Sequence, residues 1–272
     1  MQENIEDNYI DLTITSPPYD NLRKYKGYIF DYQSMFKELY RVTKIGGILV
    51  WVIGDATNDY DETGTSFKHA LFAKEIGFKL NDTMIYKKTG VSFPQNNARY
   101  LQSFEYMFVF SKGNPKIINL IKDRKNVSAG AKITGKHRLD NGEFTKDNSG
   151  GRLGKIRNEY GFRYNVWEIK NGHFQTKDKI AFKHPAQFPE QLANDHIISW
   201  SNENDIILDP MCGSGTVAKM AYLNKRNFIG IDTSEEYINN ICIPRLEMYG
   251  WEKWKLLKHD KMPVSFKHGK NT

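Results

Sequence analysis

The run Tyr9-Ile10-Asp11-Leu12-Thr13-Ile14-Thr15-Ser16-Pro17-Pro18-Tyr19 decides how the rest of the chain is read. Ile10, Thr13, Ile14 and Thr15 are β-branched, as a strand prefers. The two prolines then stop it, because each fixes φ and lacks an N–H. The residue before each proline is held extended. The segment therefore reads as a strand that ends abruptly in a stiff loop. That loop offers the Ser16 hydroxyl, the carbonyls of Pro17 and Pro18 and the ring of Tyr19. A rigid row of acceptors beside a stacking ring suits an amino group on a flat heterocycle. Read alone, the same residues are also a proline turn with a packed tyrosine.

A second loop, this one with two glycines, lies nearly two hundred residues downstream. Asp205-Ile206-Ile207-Leu208-Asp209 reads as a strand, followed by Pro210-Met211-Cys212-Gly213-Ser214-Gly215-Thr216 and a helix from Val217 to Leu223. Asn227 to Asp232 reads as another strand ending in an acid. This is a βαβ unit of nucleotide-binding length. Gly213 and Gly215 let the backbone turn tightly and approach a ligand, and Asp232 stands where an acid accepts from a ribose diol. The third glycine of a dinucleotide fingerprint is missing, and no lysine directly follows Gly215 as in a P-loop. A ligand with a ribose but no pyrophosphate fits better, and a nicotinamide oxidoreductase is disfavoured.

Between the two loops the chain is organised as α/β. Tyr32, Met35, Phe36, Leu39, Tyr40 and Val42 recur at helical spacing, and Lys44-Ile45-Gly46-Gly47 reads as the helix end. Ile48 to Ile53 is continuously apolar, as in a strand buried on both faces. Ser66 caps an expected helix, and Leu80–Tyr86 and Tyr106–Phe110 read as strands. From Ser111 the character shifts. Between Lys112 and Lys183 there are 17 Lys+Arg against 7 Asp+Glu, so this segment alone carries more positive charge than the whole chain's +7. Scattered glycines and the aromatics Phe144, Tyr160, Phe162, Tyr164 and Trp167 sit in it without lasting periodicity. A long irregular stretch inside a domain is usually functional, and basic side chains mixed with aromatics suit nucleic acid. Order returns at His184-Pro185-Ala186-Gln187-Phe188-Pro189-Glu190, then a helix through Trp200. The last helix is expected from a Ser234 cap to Tyr249.

The 272 residues fit one large domain with an insertion. The expected division is 1–111, a basic insertion 112–183, a second part of the same domain at 184–250, and a tail 251–272. No run approaches the ~18 apolar residues of a membrane span, and the first residues lack signal-peptide character. Cys212 and Cys242 are too few for a zinc set or a disulfide framework. No metal site is expected, and a reducing cytoplasm is the expected setting.

Together, Ile14-Thr-Ser-Pro-Pro-Tyr19 and Asp209-Pro-Met-Cys-Gly-Ser-Gly-Thr216 resemble the S-adenosylmethionine-dependent DNA amino-methyltransferases over roughly residues 8 to 248. The order of the two motifs resembles the permuted β group. The resemblance implies a circularly permuted, mostly parallel Rossmann-like sheet with an inserted basic target-recognition region. It implies S-adenosyl-L-methionine as cofactor, held by Asp209, Pro210, Cys212, Gly213, Ser214, Gly215 and Thr216, with Asp232 on the ribose and His184-Pro185 near the carboxylate. It implies Ser16, Pro17, Pro18 and Tyr19 as the catalytic loop, acting on a base flipped out of double-stranded DNA. A cognate restriction enzyme and a homodimer are both compatible with it. Family members with Ser before Pro-Pro-Tyr are mostly cytosine-N4 enzymes and those with Asp mostly adenine-N6 enzymes, so Ser16 leans towards cytosine-N4. Adenine-N6 stands as the alternative, and a catalytically inactive DNA-binding relative as the alternative of another class. Asp55 is an outside candidate for the rim of the site, or a loop acid bonded to backbone. In the family a further strand usually precedes the Pro-Pro-Tyr strand. Here eight residues precede Tyr9, so that strand is absent, or replaced by the tail Trp251 to Val264, or the chain is shortened.

Overall fold

The computed structural model describes residues 5–18, 30–90, 99–133, 137–138, 140–145, 154–171, 175–252 and 266–268. It divides into two compact units, 1–119 with 165–272, and 120–164.

The larger unit is built on one eight-stranded sheet. Its strands in chain order are β1 (Ile10–Thr15), β2 (Thr43–Ile53), β3 (Lys79–Lys88), β4 (Phe104–Ser111), β5 (Val166–Ile169), β6 (Ile206–Asp209), β7 (Asn227–Asp232) and β8 (Phe266–His268). In space they run β5-β3-β4-β2-β1-β6-β7-β8. Every adjacent pair is parallel except the two on either side of β4, which is antiparallel to both β2 and β3. The expectation of a mostly parallel sheet holds. The first strand of the chain lies beside β6, with Leu12 opposite Ile207 and Thr13 opposite Leu208. That pairing is the permuted order in physical form.

Alternate residues of the central strands feed two cores. Leu12, Ile14, Ile48, Val50, Val52, Ile207 and Phe228 pack on one face with α3 (Glu190–Trp200), α4 (Thr216–Leu223) and the final helix. Ile10, Leu49, Trp51, Ile53, Leu208 and Ile229 pack on the other, with α1 (Tyr32–Val42) and α2 (Thr65–Glu75). Burial of both faces explains the unbroken apolar run of β2.

Two expectations change at element boundaries. The helix expected to reach Lys44–Gly47 stops at Val42, and β2 already begins at Thr43. A register shift between Ile10 and Leu12 takes up the extra residues opposite β1, with Gly46 at φ +86°. Glycine takes that positive φ without strain, so the glycines interrupt a strand here instead of ending a helix. The final helix is also not one α-helix. It runs Glu235–Tyr237, then a π-helical turn Ile238–Cys242, then Ile243–Glu247. The Ser234 cap stands as expected, accepting from the Tyr237 N–H at 3.3 Å. In the tail, β8 adds a parallel edge strand beside β7 just beyond the 251–264 stretch, most of which lies outside the described residues.

The smaller unit spans Leu120–Tyr164, within the charge-shifted segment. It carries 11 Lys+Arg against 5 Asp+Glu. Its described residues include short antiparallel ladders, Arg124–Lys125 with Tyr160–Gly161 and His137–Arg138 with Phe144–Thr145, and an antiparallel bridge between Lys132 and Ile156. Val166–Ile169, also in the basic segment, joins the main sheet as β5.

Candidate active site

The sheet's connections diverge between β1 and β6: β1 leads to β2 on one side, and β6 to β7 on the other. In open α/β sheets ligands bind in the crevice at such a switch point, outside the carboxyl ends of the strands. Both loops singled out in the sequence leave their strands there. Ser16 and Pro18 are half-buried and Pro17 is buried. Tyr19 lies outside the described residues.

A side-chain hydrogen bond ties the two strand ends together. Thr15 Oγ1 donates to Asp209 Oδ1 at 2.8 Å, and Met211 N donates to the same oxygen at 3.2 Å. Thr15 is 1% and Asp209 7% exposed, so little water competes. Burial pushes the Asp209 carboxyl up to about 7, with the nearby Asp232 adding to it, while the Thr15 and Met211 hydrogen bonds pull the other way. The Asp209 side chain thus faces the end of β1. The carboxylate sits one residue past the last β1–β6 pair, where a Thr on β1 can reach it.

The glycine loop is shaped by what packs behind it. Gly213 and Gly215 have φ of +46° and +75°. A Cβ on Gly213 would lie 2.8 Å from His184 Cε1 and Nε2, and one on Gly215 would overlap Cys242 Sγ. Only glycine fits at either position. Cys212 N bonds Ile231 O at 2.8 Å, and Gly215 N bonds Cys212 O at 2.7 Å, closing the turn onto β7 and itself. Cys212 and Pro210 are buried. Contact with Cys242 and burial raise the Cys212 thiol well above its ordinary value, so it packs as a neutral thiol.

His184 is anchored by Nδ1, 2.5 Å from Ala186 O, and its ring meets the Tyr237 ring edge-on at 4.4 Å. Nδ1 also lies 3.2 Å from Ala186 N, and the Cε1–Nε2 edge of the ring is turned to the glycine loop. Pro185, the next residue, is exposed. Asp232 ends β7 and accepts from Gly213 N at 2.8 Å and Ser234 N at 2.9 Å. Each oxygen takes one backbone donor, and a carboxylate retains lone pairs for a ribose hydroxyl. Asp232 also couples the acid directly to the loop it serves.

Under the loop lies a buried ionic group that the sequence reading passed over. Arg245 and Lys219 meet Asp178 and Glu190, with Thr176 and Tyr249 bridging them. Burial raises the Asp178 carboxyl, but hydrogen bonds from Lys219, Tyr249 and Arg245 outweigh it and hold the acid at about 2. Burial likewise opposes the Lys219 charge, and its bonds to Asp178, Glu190 and Tyr249 raise it above the ordinary lysine value. The side chains of Ser214 and Thr216, expected at the cofactor, are both 3% exposed and turn towards Arg245. The signal in the sequence was a lone cation in each of two helices, Lys219 and Arg245.

Asp55 bonds Ser66 N at 2.8 Å and Ser66 Oγ at 2.5 Å. It therefore secures the start of α2, which begins at Thr65. Ser66, expected to cap that helix, is held by Asp55 inside its first turn. Within the smaller unit, the Arg124 guanidinium lies 4.7 Å over the Tyr164 ring, and Lys122 Nζ 5.0 Å over Phe162. Arg163 grips Asp123 with Nε and Nη2. Tyr160, Phe162 and Tyr164 are 46%, 52% and 67% exposed, an arrangement of rings and cations that a polyanion with stacked bases matches.

Residues 10–242 match the family described as DNA methylase. The chain belongs to that family. Beyond the family match, this methylase is 56% identical over 252 residues to the orphan methyltransferase M.BamHII of Bacillus amyloliquefaciens, covering 92% of this chain and 93% of that one. It is 28% identical to the type II methyltransferase M.BglII of Bacillus subtilis, covering 88% of this chain and 64% of the relative. Among solved structures, the fold matches the PvuII DNA methyltransferase, described as cytosine-N4-specific, with a TM-score of 0.61 at 19% identity over 90% of this chain and 86% of that one. It also matches a DNA modification methylase of Thermus thermophilus complexed with S-adenosyl-L-methionine, with a TM-score of 0.58 at 18% identity over 99% and 94%. No helix among the described residues is long and apolar enough to cross a membrane.

Proposed function

We propose that this methylase transfers a methyl group from S-adenosyl-L-methionine to the exocyclic amine of a base flipped out of double-stranded DNA, and that the amine is cytosine N4. The observation that carries the reading is the junction of the two loops at the switch point, joined by the 2.8 Å bond from Thr15 to Asp209. A methyl donor on the glycine loop and an acceptor on the Ser16 loop then occupy neighbouring places.

The glycine loop fits such a cofactor. The positive φ at Gly213 and Gly215 leaves room for no side chain. The first N–H groups of α4 follow directly, pointing at a carboxylate bound there. Asp232 stands ready for the ribose, and His184 walls the loop. When bound, the cofactor supplies an electrophilic methyl group on a sulfonium.

The remaining work falls to the Ser16 loop. The lone pair of a base amine is delocalised into its ring and attacks poorly. Ser16 Oγ and the Pro17 carbonyl accept hydrogen bonds from the two amino N–H groups, which favours a pyramidal nitrogen with its lone pair free. Tyr19 stacks on the base. The thiols stay out of the chemistry, with Cys212 buried and neutral. The basic unit 120–164 is the region we assign to target DNA. Ser16 supports cytosine over adenine, as does the described specificity of the PvuII fold relative. The likeness to an orphan methyltransferase favours action without a dedicated restriction partner.

The test is transfer of labelled methyl from the cofactor to DNA, followed by identification of the methylated nucleoside. Labelled N4-methylcytosine supports the whole reading. N6-methyladenine corrects the acceptor, and no label with a correctly folded protein rejects the activity.

A further inference from the structure

We propose that Arg245 is a positioning residue that locks the Gly213–Thr216 turn from behind and thereby sets affinity for the methyl donor. The proposal rests on the assignment of that turn as the cofactor site.

All five guanidinium N–H groups are used. Nε donates to Asp178 at 2.7 Å. Nη1 donates to Ser214 O at 3.0 Å and Thr216 Oγ1 at 2.9 Å. Nη2 donates to Glu190 at 2.6 Å and Thr176 Oγ1 at 3.2 Å. Arginine offers five donors in a fixed fork, and here each has an acceptor. Its residue exposure is 0%.

The charges balance locally. Lys219 Nζ reaches Asp178 at 2.8 Å and Glu190 at 2.7 Å, so two cations face two carboxylates. The Arg245 fork is thereby held rigid, and two of its donors are aimed at the turn. The same helix touches the turn a second time, where Cys242 Sγ fills the space beside Gly215. Cys242 ends the π-helical turn, a feature frequent at functional sites. The final helix thus fixes Ser214, Gly215 and Thr216 from the protein side and leaves the opposite side of the turn to a ligand.

A lysine at 245 keeps the charge but loses the fork, so it cannot serve the carboxylates and the turn together. Thr216→Val removes one acceptor of Nη1 and leaves all four charges paired, so it keeps the fold if Arg245→Lys does not. Cofactor affinity measured by calorimetry, with steady-state kinetics on duplex DNA, reads the effect in the full chain. For each single variant we expect cofactor Kd and KM to rise about tenfold, with kcat and the KM for DNA within about threefold. The double variant is expected to match the singles, near tenfold and not a hundredfold, because both changes cut one link. A purely structural role lowers the active fraction, hence kcat, at unchanged KM, and that result overturns the proposal. So does a fully multiplicative double variant. Absence of cofactor binding by the wild type instead rejects the cofactor site itself, and the proposal with it.

Discussion

Replacing Thr15 by valine removes one hydroxyl and little else. Valine keeps the β-branched shape that a strand favours, and the site is 1% exposed. The loss falls on Asp209 Oδ1, which keeps only the Met211 N–H at 3.2 Å. Asp209 titrates at about 7, so the cost depends on pH. Below that value the carboxyl is neutral, and a neutral buried hydrogen bond contributes about 1 kcal/mol. Above it the hydroxyl stabilises a carboxylate, worth about 2–3 kcal/mol. The difference raises the Asp209 midpoint by about one unit, at ~1.4 kcal/mol per unit. An acid whose folded pKa is raised binds more protons folded than unfolded, so stability falls as pH climbs from about 4 to about 7 in the wild type. In Thr15→Val that fall should continue to about pH 8. Urea unfolding at pH 5.5 and pH 9 gives both numbers. A destabilisation near 1 kcal/mol at the lower pH and at least twice that at the higher is expected. Equal losses at the two pH values would refute the Thr15–Asp209 link as a carboxylate-stabilising bond.

Three further outcomes are expected. Ser16→Ala and Tyr19→Ala each lower kcat at least ~10²-fold while calorimetric cofactor affinity stays near the wild-type value; near-full activity of Ser16→Ala on DNA rules out its role as amine acceptor. Asp232→Ala weakens cofactor binding by about one to two orders of magnitude, as loss of a charge-assisted hydrogen bond dictates, and also frees the Gly213 N–H. Asp178 has a folded pKa of about 2 against 3.8, so its contribution is complete above about pH 4 and disappears as pH falls towards 2. Asp178→Asn should therefore flatten the acid side of the stability profile, and an unchanged acid limb contradicts the buried ionic group.

The elements that depend on local pattern were legible in the sequence. The apolar run Ile48–Ile53, the strand before Ser16-Pro17-Pro18 and the turn at Gly213–Gly215 all announce themselves within a few residues. The reversed direction of β4 was not legible, because a buried strand reads alike in either direction. Gly46-Gly47 looked like a helix end, and only pairing with β1 shows that it is a bulge. The ionic group under the glycine loop joins residues up to 71 positions apart, so no spacing reveals it. Ser214 and Thr216 fit a cofactor motif by position, yet their side chains are buried against Arg245. Asp55 carried two readings, and its bonds to Ser66 show an acid that starts a helix.

The proposed function has the Ser16 loop present a base amine to a methyl donor held on the Gly213–Thr216 turn. The most direct measurement is incubation of the protein with isotopically labelled S-adenosyl-L-methionine and double-stranded genomic DNA, followed by mass spectrometry of the digested nucleosides. The label is expected in N4-methylcytosine, at a rate at least ~10²-fold lower with Ser16→Ala. Label in 5-methylcytosine, or equal labelling by wild type and Ser16→Ala, would contradict it.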